Sequence, residues 1–134
     1  MKIDHIAIWT NQLENLKHYY IKYFDGVANQ KYENREKKFS SYFLSFNNGT
    51  KLEIMHRPGI PANQNDPVFQ QYRGLIHFAF MVDNHQQLKD KAEHLKADGF
   101  PILSGPRTTG DGYYEFVTLD PDNNRIEVTC YAQN

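Results

Sequence analysis

The sequence has one cysteine, no long apolar run and almost no net charge. With a single cysteine, Cys130, an internal disulfide is excluded. No apolar run approaches the roughly 18 residues that a membrane-spanning helix needs, and the opening stretch lacks the basic segment and apolar core of a secretory signal. We therefore expect a cytoplasmic protein. The 15 basic and 16 acidic side chains give a net charge of −1, which argues against nucleic acid or a membrane as the main partner.

What is present is the composition of one folded domain. A chain of 134 residues can remove about two-thirds of its unfolded surface from water. The 40% of hydrophobic and 23% of charged residues exclude a disordered chain. We expect a single domain over residues 1–134.

The chain contains an internal repeat. The stretch DHIAIWTNQLENLK, from residue 4, aligns with IHFAFMVDNHQQLK, from residue 76. Each copy predicts a short strand, a polar helix start and a helix that ends at Asp-Gly. The apolar positions at helical spacing are Leu13, Leu16 and Tyr20 before Asp25-Gly26, and Leu88, Ala92 and Leu95 before Asp98-Gly99.

Three further strands are predicted after each helix. They cover residues 27–33, 38–46 and 50–56 in the first half, and 100–104, 112–119 and 124–131 in the second. The last two strands of each half flank a turn-rich hairpin, in SFNNGTKLEIM and TLDPDNNRIEVTC. The fold class is therefore α+β, with two βαβββ modules (residues 1–57 and 74–134) joined by a proline-containing connector (58–73) and forming a curled mixed sheet cup.

The repeat carries a histidine and a glutamate at equivalent positions of both copies. Glu53 follows His5 by 48 residues, and Glu127 follows His77 by 50 residues. Strand alternation places each of the four on the face opposite to the aliphatic side chains of its own strand. The apolar faces are then free to cover the helices, and the four polar side chains are free to line the cup.

Two imidazoles and two carboxylates form a ligand set that suits a divalent transition metal. Burying such groups without a compensating cation is costly, and the small Ala7 and Ala79 leave room for an ion. The alternative is that these are half-exposed polar residues on strands whose outer face meets water. One pair would not exclude that alternative, but two matching pairs favour the metal site.

The residues from DHIAIWT through GLIHFAFMVD to GPRTTGDGYYEFVTLDPDNNRIEV resemble the vicinal oxygen chelate superfamily. This superfamily includes glyoxalase I, methylmalonyl-CoA epimerase, fosfomycin-resistance thiol transferases, extradiol dioxygenases and bleomycin-binding proteins. Its members share paired βαβββ modules around a metal site. The His, Glu, His, Glu order of His5, Glu53, His77 and Glu127 is similar to that of bacterial glyoxalase I.

The resemblance implies a metal-dependent lyase or isomerase that acts on a small 2-oxo compound, or on its thiol adduct, through an enediolate. Glu127 would be the base that moves the proton, and Glu53 would be the second catalytic carboxylate. The metal would be Ni, Zn, Mn, Co or Fe. Members of this length commonly form homodimers that share each metal site between chains, and we expect the same here.

Two alternatives remain open. Thiol transferases and dioxygenases of the superfamily use three ligands, corresponding to His5, His77 and Glu127. A non-catalytic small-molecule-binding protein that keeps a metal-like site is the other alternative, because fold alone does not decide function.

The substrate-binding candidates depart partly from the glutathione-dependent pattern. Trp9 and Arg57 stand four residues after the first two ligands, where those glyoxalases have Arg and Asn. Arg73 stands four residues before His77, where some glyoxalases place an arginine that contacts glutathione. Trp9 is a candidate for an apolar wall. Arg57 and Arg107 are candidates for binding an anionic group, and Tyr113 or Tyr114 for donating to a substrate oxygen, since alternation directs only one of the two tyrosines to the cup.

Overall fold

The computed structural model describes residues 1–47 and 49–133. The chain divides into two compact units, Met1–Asn63 (unit 1) and Gln64–Asn134 (unit 2). The division falls within the predicted connector, 58–73. That both modules form one domain stays a prediction. Asn48, in the first predicted hairpin turn, and Asn134, at the end of the second predicted module, lie outside the described residues.

Unit 1 is a mixed sheet with one helix. Its elements are β1 (His5–Trp9), α1 (Leu13–Phe24), β2 (Val27–Ala28), β3 (Tyr32–Asn34), β4 (Phe39–Ser45) and β5 (Lys51–His56). The strand order is β1-β5-β4-β2, and β3 also pairs with β4. Strand β1 runs parallel to β5, while the other pairs are antiparallel. The first strand of the module and its last strand are therefore neighbours.

The prediction of one continuous strand over residues 27–33 is wrong. The chain forms two short strands instead, because the register against β4 changes by one residue between Ala28, opposite Leu44, and Tyr32, opposite Ser41. Asn29 lies in the interruption, where its side-chain oxygen accepts the backbone N–H of Phe43 at 2.8 Å. An extra residue on one strand breaks a ladder in this way.

Helix α1 covers the apolar face of this sheet. Its buried side chains follow the helical period, and they face buried residues of β4 and β5 such as Leu44, Leu52 and Ile54. Burying one side chain of this size contributes about 1.5–3 kcal/mol. The helix ends where Asp25 adopts a left-handed conformation with φ 55°, and the Gly26 N–H donates to the Tyr20 carbonyl oxygen at 3.0 Å.

Unit 2 repeats the arrangement with one long strand where unit 1 has two short ones. Its elements are β6 (His77–Met81), α2 (His85–Ala97), β7 (Ile102–Thr108), β8 (Tyr113–Leu119) and β9 (Arg125–Tyr131). The strand order is β6-β9-β8-β7, with β6 parallel to β9 and the other pairs antiparallel. The prediction of an α+β fold built from two βαβββ modules is confirmed.

Strand β7 extends beyond residue 104, its predicted end. Its pairing with β8 continues although the register shifts at two places. Gly105 lies within the second register shift, between Ser104 and Arg107, with φ 83°. A Cβ at this position would collide with the carbonyl oxygen of Glu115. Only glycine combines this backbone conformation with so close an approach, and the sequence pattern around Pro106 gave no sign that pairing would continue.

Helix α2 starts at a side-chain cap and ends at a glycine. The side-chain oxygen of Asn84 accepts the backbone N–H of Gln87 at 3.0 Å, as expected of an N-cap asparagine. Leu88, Ala92 and Leu95 are the buried residues of the helix. Among the described residues, no helix is long and apolar enough to cross a membrane.

Candidate metal centre

His5 and Glu53 lie on neighbouring parallel strands of unit 1. His5 is opposite Lys51, and Ala7 is opposite Glu53, so His5 and Glu53 are diagonal neighbours on one face. The distance between His5 Nε2 and Glu53 Oε2 is 3.6 Å. The side chain of His5 is 40% exposed, and that of Glu53 is 15% exposed. The pair therefore lies at the surface of the unit, with the carboxylate as its deeper member.

Unit 2 contains the same arrangement at the equivalent positions. His77 is opposite Arg125, and Ala79 is opposite Glu127. The distance between His77 Nε2 and Glu127 Oε2 is 3.4 Å, and the side chains are 38% and 18% exposed. The two pairs thus agree in strand position, in cross-strand register, in the atoms that face each other and in burial.

The distances within the pairs fit two ligands of one ion better than a hydrogen bond. A charge-assisted hydrogen bond between a ring N–H and a carboxylate brings the atoms to about 2.7–2.9 Å. Two ligand atoms that each lie about 2.1 Å from an ion, at a tetrahedral angle of about 109°, are about 3.4 Å apart. The residues therefore fit a divalent ion in donor type and in separation.

Each unit by itself supplies two such donors. Within residues 1–47 and 49–133, no group of three or more His, Cys, Asp and Glu side chains is placed to hold a metal ion. The structure thus shows two matched pairs. The set of four ligands stays a prediction.

The His5–Glu53 pair is flanked by a charged residue and an aromatic ring. His5 Nδ1 is 2.8 Å from Asp4 Oδ2, and Lys51 Nζ donates to Asp4 Oδ1 at 3.3 Å. The pKa of Asp4 is lowered, first by its hydrogen bond with His5 and then by Lys51. The Phe43 ring stands edge-on to the imidazole, at 5.3 Å between centroids. Both ring nitrogens of His5 therefore face carboxylates.

The His77–Glu127 pair borders a carboxyl group that the sequence analysis missed. Glu115, on β8, lies beside Glu127 and is only 12% exposed. The pKa of Glu115 is raised, first by burial and then by the neighbouring Glu127 carboxyl group, while Arg107 opposes the increase. Arg107 Nη2 donates to Glu115 Oε1 at 3.1 Å, and Arg107 Nε donates to Ser104 Oγ at 3.1 Å.

Comparison of the two copies identifies residues whose type is the same in both, and Glu115 has no acidic residue at the corresponding position of unit 1. Glu115 is opposite Thr129, and the corresponding residue of unit 1 is Ser41, opposite Met55. The signal that could have found Glu115 is the alternation of β8, which places this carboxylate on the same face as Val117, the residue opposite Glu127.

The substrate-binding candidates of unit 1 lie together. Trp9 is on the face of His5, since β1 alternates in exposure along its length. The guanidinium of Arg57 is 5.3 Å from the centroid of the Trp9 ring, a cation–π distance. Phe39 stands edge-on to the same ring at 6.0 Å. Trp9 and Arg57 thus form one surface of stacked aromatic and cationic groups.

The substrate-binding candidates of unit 2 do not lie together. Arg107 is held by Glu115 and Ser104, as described above. Tyr113 shares the face of Glu115 and stacks on Tyr131 with a centroid distance of 5.6 Å. Tyr114 lies on the opposite face, where it stacks on His85 at the start of α2 at 4.2 Å. Arg73 is exposed, four residues before His77. Of the two tyrosines, Tyr113 is the one on the side of Glu127.

Comparisons with known proteins agree with this architecture. A family model described as the Glyoxalase/Bleomycin resistance protein/Dioxygenase superfamily matches residues 2–128. Among curated proteins, the uncharacterized protein YqjT of Bacillus subtilis (strain 168) is 32% identical over 69 residues. That match spans 48% of this chain and 54% of YqjT, so the chain covers about half the length of this relative.

Solved structures are similar over nearly the whole chain. The trypanothione-dependent glyoxalase I of Leishmania major is 19% identical, with a TM-score of 0.77 over 99% of this chain and 88% of that chain. A glyoxylase/bleomycin resistance protein/dioxygenase domain from Frankia sp. EAN1pec is 16% identical, with a TM-score of 0.78 over 98% of both chains. At these identities the similarity shows the shared fold and not a shared substrate.

Proposed function

Because this chain belongs to the Glyoxalase/Bleomycin resistance protein/Dioxygenase superfamily, we propose that it is a metal-dependent lyase or isomerase of the glyoxalase I kind. Its substrate would be a small 2-oxo compound or the thiol adduct of one. Members of the superfamily typically use divalent metal ions and small-molecule substrates. The observation that carries the proposal is the duplication of one His–Glu pair at equivalent strand positions, at 3.6 and 3.4 Å.

The proposed ligands are His5, Glu53, His77 and Glu127. Catalytic ions are held by about three or four protein ligands, so one pair alone is too few, and both pairs are needed. A bound divalent ion, whether Ni, Zn, Mn, Co or Fe, would draw electron density from a carbonyl oxygen and so acidify the neighbouring C–H. A homodimer that shares the ions between chains, in the cytoplasm, is part of the proposal.

The proposed chemistry is a proton transfer between neighbouring carbons. Glu127 takes the proton from the carbon next to the carbonyl and returns it to the carbonyl carbon, while the hydroxyl proton of the adduct passes to the former carbonyl oxygen. The product is therefore an isomer of the bound adduct, and no oxidant is needed. Glu53 is the second carboxylate in the same kind of position. The geometry of Glu53 relative to His5 matches that of Glu127 relative to His77. Glu53 would therefore be the second group that gives a proton to the substrate or takes one from it.

Substrate binding is assigned to the groups that share the faces of the two pairs. Trp9 supplies an apolar wall, with Arg57 stacked on it as a cation for an anionic group. Arg107 and Tyr113 supply N–H and O–H donors on the side of Glu127. Arg73, which precedes β6, stays a candidate for binding an anionic group of the substrate. Tyr114 lies on the face covered by α2 and is left out of the proposed site.

The first test measures metal content and turnover in the same samples. Protein purified without chelator is analysed for metals and assayed on adducts of 2-oxoaldehydes with several thiols, as wild type, His77→Ala and His18→Ala. We expect near-stoichiometric metal and turnover in the wild type and in His18→Ala, whose histidine is exposed on α1. Both should be lost in His77→Ala. Absence of metal from reconstituted wild type would refute the proposal.

Glu53→Gln distinguishes this proposal from a three-ligand enzyme. A thiol transferase or dioxygenase that uses His5, His77 and Glu127 keeps most of its activity when Glu53 is replaced, whereas a four-ligand isomerase loses much of it. A metal-loaded protein that binds thiol adducts but turns none of them over would be a binding protein. Equal turnover in Glu53→Gln and wild type would contradict the role given to Glu53.

A further inference from the structure

Four side chains of unit 1 form a continuous line that passes through the proposed metal ligand His5 and ends at Glu53. Lys51 Nζ is 3.3 Å from Asp4 Oδ1, Asp4 Oδ2 is 2.8 Å from His5 Nδ1, and His5 Nε2 is 3.6 Å from Glu53 Oε2. The backbone fixes the start of this line, because the Lys51 N–H donates to the Asp4 carbonyl oxygen at 3.0 Å. Lys51 is also the residue directly opposite His5.

The chemistry of these groups determines which nitrogen of His5 carries the hydrogen. An ionised carboxylate accepts hydrogen bonds and donates none, so the contact with Asp4 requires a hydrogen on Nδ1. In the neutral ring Nε2 then presents a lone pair. That lone pair faces a carboxylate oxygen of Glu53, which also presents a lone pair. Two acceptors that face each other across 3.6 Å repel in the neutral form of the ring, and a cation bound by both relieves this repulsion.

Unit 2 provides the comparison within the same chain. The residue before His77 is Ile76, whose side chain cannot accept a hydrogen bond from the ring. Arg125 takes the position of Lys51, opposite His77, but its Nη1 donates to the carbonyl oxygen of Pro67 at 2.7 Å. The two histidines therefore have the same partner glutamate but different support behind the ring.

We propose that Asp4 is a positioning residue that orients His5 and fixes its Nε2 as the metal-binding nitrogen, with Lys51 holding the Asp4 carboxylate. This inference rests on the proposed function of His5 as a metal ligand. The two histidines then differ. The ring orientation and tautomer of His5 are fixed before an ion binds, whereas the side chain that precedes His77 does not fix those of His77. Carboxylates behind ligand histidines act in this way in metal sites generally.

The first experiment needs neither metal nor activity. Long-range proton–nitrogen correlation spectra of the metal-free protein, at a pH where the imidazoles are neutral, distinguish the two ring tautomers of each histidine. In the wild type we expect His5 to carry its hydrogen on Nδ1. Asp4→Ala should shift His5 toward the other tautomer and leave His77 unchanged. Asp4→Asn, whose amide oxygen still accepts a hydrogen bond, should keep the wild-type tautomer.

The second experiment measures metal affinity by competition with a chelator. Loss of such a support weakens metal binding by roughly 10- to 100-fold, and we expect a change of this size in Asp4→Ala and a smaller one in Asp4→Asn. Asp90→Ala is the control, since Asp90 is an exposed carboxylate of α2 that accepts a hydrogen bond from Gln86 at 2.7 Å. It should bind metal like the wild type.

The outcomes separate this inference from the proposed function. If His5 shows the same tautomer in the wild type and in Asp4→Ala, the inference is overturned, whether or not metal binds. If metal affinity is unchanged in Asp4→Ala, the inference is also overturned, and the metal site stands. If the wild type binds no metal at all, the proposed function fails, and the tautomer spectra alone decide whether Asp4 positions His5.

Discussion

Each proposed half-site has a further carboxyl group beside it, and the two units place it differently. In unit 1 this group is Asp4, which contacts the histidine. In unit 2 it is Glu115, which lies beside the glutamate. A second carboxyl group beside Glu127 raises the electrostatic cost of the pair, because two like charges in a half-buried place repel. Arg107 is the cation that offsets this cost in the described structure.

A double-mutant cycle on Arg107 and Glu115 tests this balance. We expect Arg107→Gln to lower the free energy of unfolding by about 1 kcal/mol, since it leaves Glu115 beside Glu127 without its cation. In the background of Glu115→Gln the same substitution should cost much less. Urea denaturation of the four metal-free proteins measures the coupling. Equal costs in both backgrounds would show that Arg107 stabilises the unit without acting through Glu115.

The residues of the site that were predictable from the sequence are those that the repeat doubles. His5, Glu53, His77 and Glu127 emerged because two independent strands carried the same residue types in the same order. Glu115 has Ser41 as its counterpart, so the comparison of copies passed over it. Which residues contact each other across strands depends on register, and register was not predictable from either copy alone.

The two helices end at the same Asp-Gly signal but with different backbone conformations. The residue in the left-handed region is Asp25 in unit 1 and Gly99 in unit 2. Gly26 closes α1 by donating to the Tyr20 carbonyl oxygen. Aspartate is among the few residues that adopt this conformation at a small cost. The existence and position of both helix ends were therefore predictable, but the conformation of each was not.

Helix α1 is joined to the sheet by an ion-pair cluster around Glu14, which gives a pH prediction. Hydrogen bonding with Lys17, aided by Tyr42 and Lys31, lowers the pKa of Glu14 from 4.5 to about 2. A lowered carboxyl pKa stabilises the folded state above the unfolded-state pKa. The contribution is therefore complete above about pH 4.5 and disappears as the pH falls through about 2.

The corresponding variant is Glu14→Gln. The Glu14 side chain is 50% exposed, so solvent screening limits the effect to roughly 0.5–1 kcal/mol at neutral pH. We expect the free energies of unfolding of wild type and Glu14→Gln to differ by this amount at pH 7 and to converge near pH 2. Thermal unfolding across this pH range provides the measurement. A difference that persists at pH 2 would show that the charge of Glu14 is not its cause.

Strands were predicted less accurately than helices, for a reason visible at β2, β3 and β7. The boundaries of these strands depend on how they pair with the neighbouring strand. One extra residue at 29–31 separates β2 from β3. Pairing of β7 with β8 continues past two irregularities because Gly105 permits the close approach. Composition and alternation describe a strand alone and contain no information about such mismatches.

For the whole molecule, the duplication distributes the proposed ligands equally over two units that each have their own helix and core. Each unit supplies two donors, whereas an ion needs about three or four from the protein. Under the four-ligand proposal, metal binding should therefore stabilise both units. An ion at 100 times its dissociation constant adds about 2.7 kcal/mol to the free energy of unfolding when it binds only the folded state.

The single tryptophan makes this dependence measurable. Trp9 belongs to unit 1, so its fluorescence reports the unfolding of that unit. We expect added Ni or Zn to shift the Trp9 transition to higher denaturant, and His77→Ala, a change in unit 2, to abolish the shift. His18→Ala should keep it. If the shift persists in His77→Ala, the ion that stabilises unit 1 does not need His77, and the four-ligand proposal must be replaced.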